Sequence, residues 1–216
     1  MKKWWLCGVM ALLLFLPGAA QQIMYSNLKQ LIEGRGDTVT TLRVDKRTIN
    51  QIYLMGGADY RVSADDNPGL CKYLKSRCYA LRIDTALYVN CRKMRYGSYR
   101  FGNWYAPAME IGGKIFFVAQ PIGQKAASTV LPNDATKLGG EVGDAINASS
   151  LVHTRVYYEL NLETGKSDFV DKERMMQLLD GFPEQQARLQ KEASEASEVI
   201  GKYLRFLRNH APATRR

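Results

Sequence analysis

Residues 104–119 read Trp-Tyr-Ala-Pro-Ala-Met-Glu-Ile-Gly-Gly-Lys-Ile-Phe-Phe-Val-Ala, and this stretch decides the fold. Two apolar runs, Trp104–Ile111 and Lys114–Ala119, flank the pair Gly112-Gly113. A two-residue connection of this kind needs positive φ angles, which glycine adopts without steric cost. The stretch therefore predicts a β-hairpin with antiparallel strands.

Two more pairs of apolar runs repeat this pattern: Tyr79–Ile83 with Ala86–Cys91, and Val156–Leu160 with Lys166–Val170. Asp84-Thr85 connects the first pair, and a segment that ends in Gly165 connects the second. No part of this region alternates strands with helices as a parallel sheet requires. The middle of the chain therefore predicts a meander of antiparallel strands.

The segment before these hairpins is expected to contain a helix and at least one strand. Ser26–Glu33 predicts a short helix, with Ser26 as its N-cap and Gly34 ending it in a left-handed conformation. β-Branched residues in Thr38–Val44 favour a strand. Ile49–Leu54 is a second apolar run.

The C-terminal region has helical periodicity. Lys172–Leu179 predicts one helix that ends at Gly181, and Pro183 is suited to the first turn of a second helix that continues to about Asn209. Apolar residues spaced three and four apart form one stripe along the second helix. They are Leu189, Ala193, Ala196, Ile200, Tyr203, Leu204 and Leu207.

These patterns predict an α+β protein: a mostly antiparallel β-meander sheet followed by two C-terminal helices. We expect a β-rich domain with a short N-terminal helix over residues 21–170 and a helical segment over 171–210. The last residues, 211–216, are expected to be a disordered tail.

The first twenty residues predict a cleavable secretory signal peptide. Lys2 and Lys3 precede the uncharged run Trp4–Leu16, which is shorter than the ~20 residues needed to span a bilayer. Gly18 and Ala20 place small residues at the positions that signal peptidase requires for a cut before Gln21. We therefore expect export to the periplasm, the outer envelope or the medium; the alternative is an uncleaved anchor.

The composition is basic, with 30 Lys and Arg against 21 Asp and Glu and a net charge of +9. Removal of Lys2 and Lys3 with the signal would leave 9 − 2 = +7. Such a surface attracts polyanions, while the alternative is that the charge only keeps an exported protein soluble. Because the basic residues are scattered, no nucleic-acid partner is expected. No stretch after the signal resembles a transmembrane helix.

Three cysteines follow the signal: Cys71, Cys78 and Cys91. An odd number leaves at least one thiol unpaired within the chain, and Cys71 with Cys78 is the pair best placed to close a loop. Their spacing from His153 and His210 does not fit a structural zinc site. We therefore expect neither a metal nor a cofactor.

Residues 92–105 interleave cations with aromatic residues and form the candidate ligand surface. Such a surface can stack a sugar ring and hold a phosphate or carboxylate. The alternative is a loop whose aromatic side chains pack into the sheet. The candidate residues are Arg95, Tyr96, Arg100, Trp104 and Tyr105.

Small residues recur in residues 137–150, at Gly139, Gly143 and Ala148 among others. No phosphate-binding glycine motif is present, and Glu141 and Asp144 would repel a phosphate. We expect a close-packed loop or short helix against the sheet.

Catalytic motifs such as G-x-S-x-G and H-E-x-x-H are absent from the sequence. Any Ser-His or Cys-His pair would need His153 or His210, because the chain has no other histidine. A pair of carboxylates would suit a glycosidase, but sequence alone does not place two acids at a set distance. No catalytic residue is therefore assigned, and a non-catalytic protein is favoured.

Several stretches together resemble an uncharacterised family of exported bacterial cell-envelope proteins. They are Tyr88-Val-Asn90, Arg95-Tyr-Gly97, Phe101–Ala106, Phe116–Gly123 and Leu138–Ile146. The resemblance implies a cell-envelope setting and brings no activity, cofactor or site residue. We expect a non-catalytic protein that binds a protein partner or an anionic glycan. The alternatives are a polysaccharide-directed hydrolase and a structural or assembly component of the envelope.

Overall fold

The computed structural model describes residues 21–65, 67–130 and 151–210. Its centre is an antiparallel sheet with the strand order β12-β11-β10-β9-β6-β5-β1-β2, in which β4 also pairs with β9 and β3 pairs with β4. β7 and β8 form a separate two-stranded hairpin. The strands are β1 Gln22–Tyr25, β2 Asp37–Val39, β3 Leu42–Lys46, β4 Tyr60–Ala64, β5 Ala80–Ile83, β6 Ala86–Asn90, β7 Arg95–Tyr96, β8 Tyr99–Arg100, β9 Tyr105–Ile111, β10 Lys114–Ala119, β11 Val156–Leu160 and β12 Ser167–Phe169.

Helices connect the early strands and follow the last one. They are α1 Leu28–Glu33, α2 Ile49–Met55, α3 Pro68–Ser76, α4 Gly123–Val130, α5 Lys172–Leu178, α6 Pro183–Gln190 and α7 Ser197–His210, with a 3₁₀ turn at Cys91–Lys93. The α+β class, the mostly antiparallel sheet and the C-terminal helices are confirmed. Within the described ranges, no helix combines the length and the apolar character needed to cross a membrane.

The three predicted hairpins all form. Gly112 and Gly113 connect β9 to β10 with φ angles of 55° and 79°. Asp84 connects β5 to β6 with a φ of 53°, a conformation that aspartate tolerates better than most residues. β11 pairs with β12 across the turn that contains Gly165. In each case local turn chemistry and the flanking apolar runs favour the same structure.

The N-terminal part differs from the prediction in two details. Asn27, not Ser26, caps α1, because its side chain accepts a hydrogen bond from the Gln30 amide at 2.9 Å. The Ser26 hydroxyl instead shares a 2.6 Å hydrogen bond with the hydroxyl of Tyr73. Gly34 ends the helix with a φ of 66°, as expected.

The single strand predicted over Thr38–Val44 is wrong. Thr41 adopts a φ of 84° and divides the segment into β2 and β3, which pair with different strands. The second apolar run forms α2, because Thr48 and Gln51 make a reciprocal capping box at its start.

The long C-terminal helix predicted from Glu184 to about Asn209 is divided into α6 and α7. The Lys172 ammonium donates hydrogen bonds to the carbonyls of Gln190 and Glu192, at 2.9 and 2.7 Å. These contacts satisfy carbonyls that a continuous helix would use internally. These tertiary contacts therefore override the helical propensity of the residues between α6 and α7.

Apolar side chains are buried on both faces of the sheet. Neighbouring strand residues point to opposite faces, so that Phe116 and Tyr157 pack in one cluster and Phe117 and Tyr158 in the other. The first cluster lies under α5, α6 and α7. The second contains Phe101 and Tyr25. A third cluster packs α3 against the sheet around Leu74 and Tyr105.

Candidate functional site

The candidate segment 92–105 contributes to two separate places. Arg95 and Arg100 lie directly opposite each other in the β7–β8 hairpin, and both are exposed. Tyr96 is half-buried beside the start of α4, with its ring edge-on to Tyr158 at 5.6 Å between centroids. Trp104 lies beyond the hairpin, immediately before β9.

Tyr105 is a core residue rather than a surface one. It is almost fully buried, and its hydroxyl donates a 2.8 Å hydrogen bond to the carbonyl of Leu74. Burial raises the pKa of this hydroxyl well above its usual range. The sequence placed Tyr105 on the candidate surface, but strand alternation turns it inward beside Leu81 and Val62.

Trp104 is half-buried and lies among three cations. The distances from the ring centroid are 5.3 Å to the Arg47 guanidinium carbon, 5.7 Å to that of Arg61 and 6.0 Å to the Lys75 ammonium. These distances are within the range of favourable cation–π contacts. We call this group, Trp104 with Arg47, Arg61 and Lys75, the Trp104 cluster.

Strand pairing brings the cluster together. Tyr60 of β4 pairs with Tyr105 of β9, which places their chain neighbours Arg61 and Trp104 side by side. Lys75 reaches the ring from α3, which packs against β4.

Arg47 holds the cluster to α2. It is buried, and its guanidinium donates 2.8 Å hydrogen bonds to the carbonyls of Gln51, Gly56 and Ala58. Burial lowers the pKa of Arg47, and the nearby Asp59 carboxylate opposes that effect. Asp59 itself is held by Arg155, with Nε at 3.0 and 2.9 Å from its two oxygens.

Arg61 and Lys75 are the available cations of the cluster. Both are exposed, and neither side chain forms a hydrogen bond or ion pair with another residue of the described ranges. Their charges therefore face solvent beside the indole. Three converging positive charges repel one another, and a bound anion would reduce that repulsion.

Two loops in close contact, one containing Gly57 and the other Gly102, hold the indole in place. Gly57 and Gly102 both have φ angles of 82°, and the Gly57 α-carbon would lie 3.2 Å from a Cβ added at Gly102. The amide of Ala58 donates a 2.8 Å hydrogen bond to the carbonyl of Asn103. Trp104 has a φ of 78°, which is rare for a large side chain and is maintained by these contacts.

A polar groove of about 430 Å³ lies elsewhere, near β11, β12 and α5. One of its acids, Glu159, accepts hydrogen bonds from Lys114 at 2.9 Å and Arg174 at 2.8 Å. Burial alone would raise the pKa of Glu159, but these hydrogen bonds outweigh it and lower the pKa. Lys125 pairs with Asp171 in the same groove. The cations here are paired with acids, unlike those around Trp104.

The cysteines are separate thiols, so the loop closure considered for Cys71 and Cys78 is not formed. Cys71 donates to the Ala64 carbonyl at 3.2 Å and Cys78 to the Ala80 carbonyl at 3.3 Å. Burial raises the pKa of Cys78 to about 11, which keeps it a thiol at neutral pH. In the part of the chain that the structure describes, no three His, Cys, Asp or Glu residues are grouped to hold a metal ion.

Sequence reasoning includes Trp104 among the candidate residues but does not include the three cations around it. Arg47, Arg61 and Lys75 are 29 to 57 residues away along the chain, since Trp104 minus Lys75 is 29 and Trp104 minus Arg47 is 57. No local pattern marks them, and only the β4–β9 pairing brings them to the ring. The predicted signal peptide and the glycine-rich segment 137–150 lie outside the described residues.

Comparison with known proteins gives one result. No curated protein and no solved structure matches the chain. A family described as "Family of unknown function (DUF6563)" matches residues 23–211, which covers the sheet and all the C-terminal helices. The chain belongs to this family of unknown function.

Proposed function

We propose that this is a non-catalytic, exported envelope protein that binds an anionic glycan at the Trp104 cluster. The observation that carries the proposal is the half-exposed indole with three cations within 6.0 Å of its centre. An aromatic face suits the apolar side of a sugar ring, and adjacent cations suit its carboxylate, sulfate or phosphate groups.

The division of roles within the cluster supports binding. Arg47 is buried and fully engaged by backbone carbonyls, so it fixes the site. Arg61 and Lys75 are exposed and free to meet the anionic groups of a ligand. The net charge, +9 for the full chain and 9 − 2 = +7 without Lys2 and Lys3, adds a longer-range attraction for a polyanion.

The acid beside Arg47 also supports binding over chemistry. Asp59 is held by Arg155 through both carboxylate oxygens, at distances down to 2.6 Å. The carboxylate is therefore engaged within the protein and positions Arg155 rather than a substrate.

Intrinsic fluorescence provides a direct test. The chain has three tryptophans, and two of them, Trp4 and Trp5, lie in the predicted signal. In a protein that begins at Gln21, Trp104 is therefore the single tryptophan and reports on the site. We expect polygalacturonate, a uronic acid polymer, to change this fluorescence, and neutral dextran to leave it unchanged.

A pair of charge-matched variants makes the test specific. The double variant R61Q/K75Q removes two exposed cations from the ring, while K72Q/R77Q removes two exposed cations from the same helix and its end. We expect R61Q/K75Q to weaken polygalacturonate binding about tenfold, from two ion pairs of about 0.7 kcal/mol each. K72Q/R77Q should change it less than about twofold, through long-range charge alone. Equal losses in both variants would contradict a specific site.

A further inference from the structure

α2 presents an unusual apolar surface. Among the described residues, six large apolar side chains are more than a third exposed, and four of them belong to this one helix. The exposed fractions are 50% for Ile49, 63% for Tyr53, 80% for Leu54 and 68% for Met55. Ile52 is the buried residue of α2. Clustered exposure of this kind is typical of a surface that meets another apolar phase.

The apolar surface continues into the Trp104 cluster. Arg47 donates to carbonyls of α2 and of the residues that follow it, and lies over the Trp104 ring. A Cβ added at Gly57, two residues after Met55, would lie 3.1 Å from the indole Cδ1. The C-terminal end of α2, which carries Leu54 and Met55, therefore lies next to Trp104 and its exposed cations.

This combination matches one kind of partner. Leu and Met side chains enter the acyl region of a bilayer, Trp and Tyr prefer the interface, and Arg and Lys contact anionic headgroups. We propose that the protein docks on the surface of an anionic lipid bilayer through α2, with Leu54 and Met55 entering the lipid and Arg61 and Lys75 facing the headgroups. The proposal goes beyond glycan binding: it shares Arg61 and Lys75 with the glycan site and adds Leu54 and Met55 of α2, which that site does not use.

Vesicle binding tests the proposal with the protein that begins at Gln21. The probes are vesicles of phosphatidylcholine alone and vesicles with about one third phosphatidylglycerol. We expect cosedimentation with the anionic vesicles only, with release at high salt because the headgroup contacts are screened. Equal binding to neutral and anionic vesicles, or none to either, would overturn the proposal.

Variants assign the docking to α2. L54Q/M55Q replaces two exposed side chains with good helix formers, so the fold and the melting temperature should not change. We expect its partition onto anionic vesicles to fall about tenfold. The control I32Q/Y99Q replaces the two exposed apolar residues outside α2 and should bind as the parent protein does.

The two proposals fail in different ways. If L54Q/M55Q binds anionic vesicles as well as the parent protein does, lipid docking through α2 is overturned, whatever the affinity of this variant for polygalacturonate. Unchanged polygalacturonate binding in R61Q/K75Q overturns the glycan site, whereas L54Q/M55Q keeps Arg61 and Lys75 and therefore tests the lipid contact separately. The alternative is that α2 contacts a second copy of the chain, which light scattering would detect. A parent protein that is a dimer, an L54Q/M55Q variant that is a monomer, and no vesicle binding by either would overturn lipid docking and assign the α2 surface to that second copy.

Discussion

At the scale of single residues, the Trp104 cluster depends on glycine at position 57. Gly57 has a φ of 82°, and a Cβ there would lie 2.4 Å from the Asn103 carbonyl oxygen. The oxygen belongs to the backbone, so the loop that carries Trp104 would have to move. The geometry of the Trp104 cluster and the stability of the fold are therefore linked at this contact.

We predict that Gly57→Ala destabilises the protein by about 2–4 kcal/mol and shifts the fluorescence of Trp104 to longer wavelength. The loss of stability combines the cost of a left-handed backbone at alanine with the clash against Asn103. The fluorescence shift follows from greater exposure of the indole to water. Thermal unfolding and an emission spectrum measure them. Gly112→Ala is the control, since its φ of 55° carries the backbone penalty in open space. A loss no larger than the ~1 kcal/mol expected for that control would rule out the clash.

Residue-level prediction from the sequence succeeded where one local rule applies. Gly34 ends α1, and Gly112 and Gly113 turn the central hairpin, because positive φ is a local requirement. The sequence assigns Tyr105 to an exposed surface, but the side chain is buried. The direction of this side chain depends on which face of β9 the core covers. Strand alternation gives two choices, and only the packed sheet decides between them.

At the scale of secondary-structure elements, Glu159 ties β11 to two neighbours. Its carboxylate accepts hydrogen bonds from Lys114 of β10 and Arg174 of α5, at 2.9 and 2.8 Å. The Glu159 side chain is only 13% exposed, so loss of its charge leaves Lys114 and Arg174 without the negative charge that they pair with. This contact holds the C-terminal helices to the sheet edge alongside their apolar packing.

We predict that Glu159→Gln lowers the free energy of unfolding by about 1–3 kcal/mol at neutral pH. Because the pKa of Glu159 is lowered in the folded protein, its stabilisation is complete above the unfolded pKa and is lost as pH falls through the folded value. The difference between parent and variant should therefore shrink in acid, below about pH 4. Denaturant unfolding across pH measures this. The exposed Glu163→Gln should show no such difference.

Among the elements, hairpins were more predictable than helix boundaries. A hairpin combines a turn signal with two adjacent apolar runs, so its evidence is local in sequence. The break between α6 and α7 depends on Lys172, which reaches the Gln190 carbonyl across 18 residues. The apolar run of α2 favours no single secondary structure. The signal that identifies it as a helix is the capping box formed by Thr48 and Gln51.

At the scale of the whole molecule, the sheet starts close to the predicted signal cleavage site. β1 begins at Gln22, one residue after the expected new N-terminus, and pairs with both β2 and β5. The Gln22 side chain also bonds the Leu42 backbone, with distances of 3.2 and 2.8 Å. A cut before Gln21 keeps all these contacts, whereas a cut a few residues later would remove β1 from the interior of the sheet.

We therefore predict that a secreting bacterial host trims the full chain to a product beginning at Gln21. Intact mass measurement of the exported protein should show the loss of residues 1–20, because small residues at positions 18 and 20 fit signal peptidase. Ala20→Phe should block trimming by placing a bulky side chain beside the cut, while Gln21→Ala, just after it, should not. A full-length product retained in the membrane by the parent chain would instead identify residues 1–20 as an anchor. That result would leave the sheet intact, and the lipid contact proposed for α2 would then be the second attachment of a protein already tethered by its N-terminus.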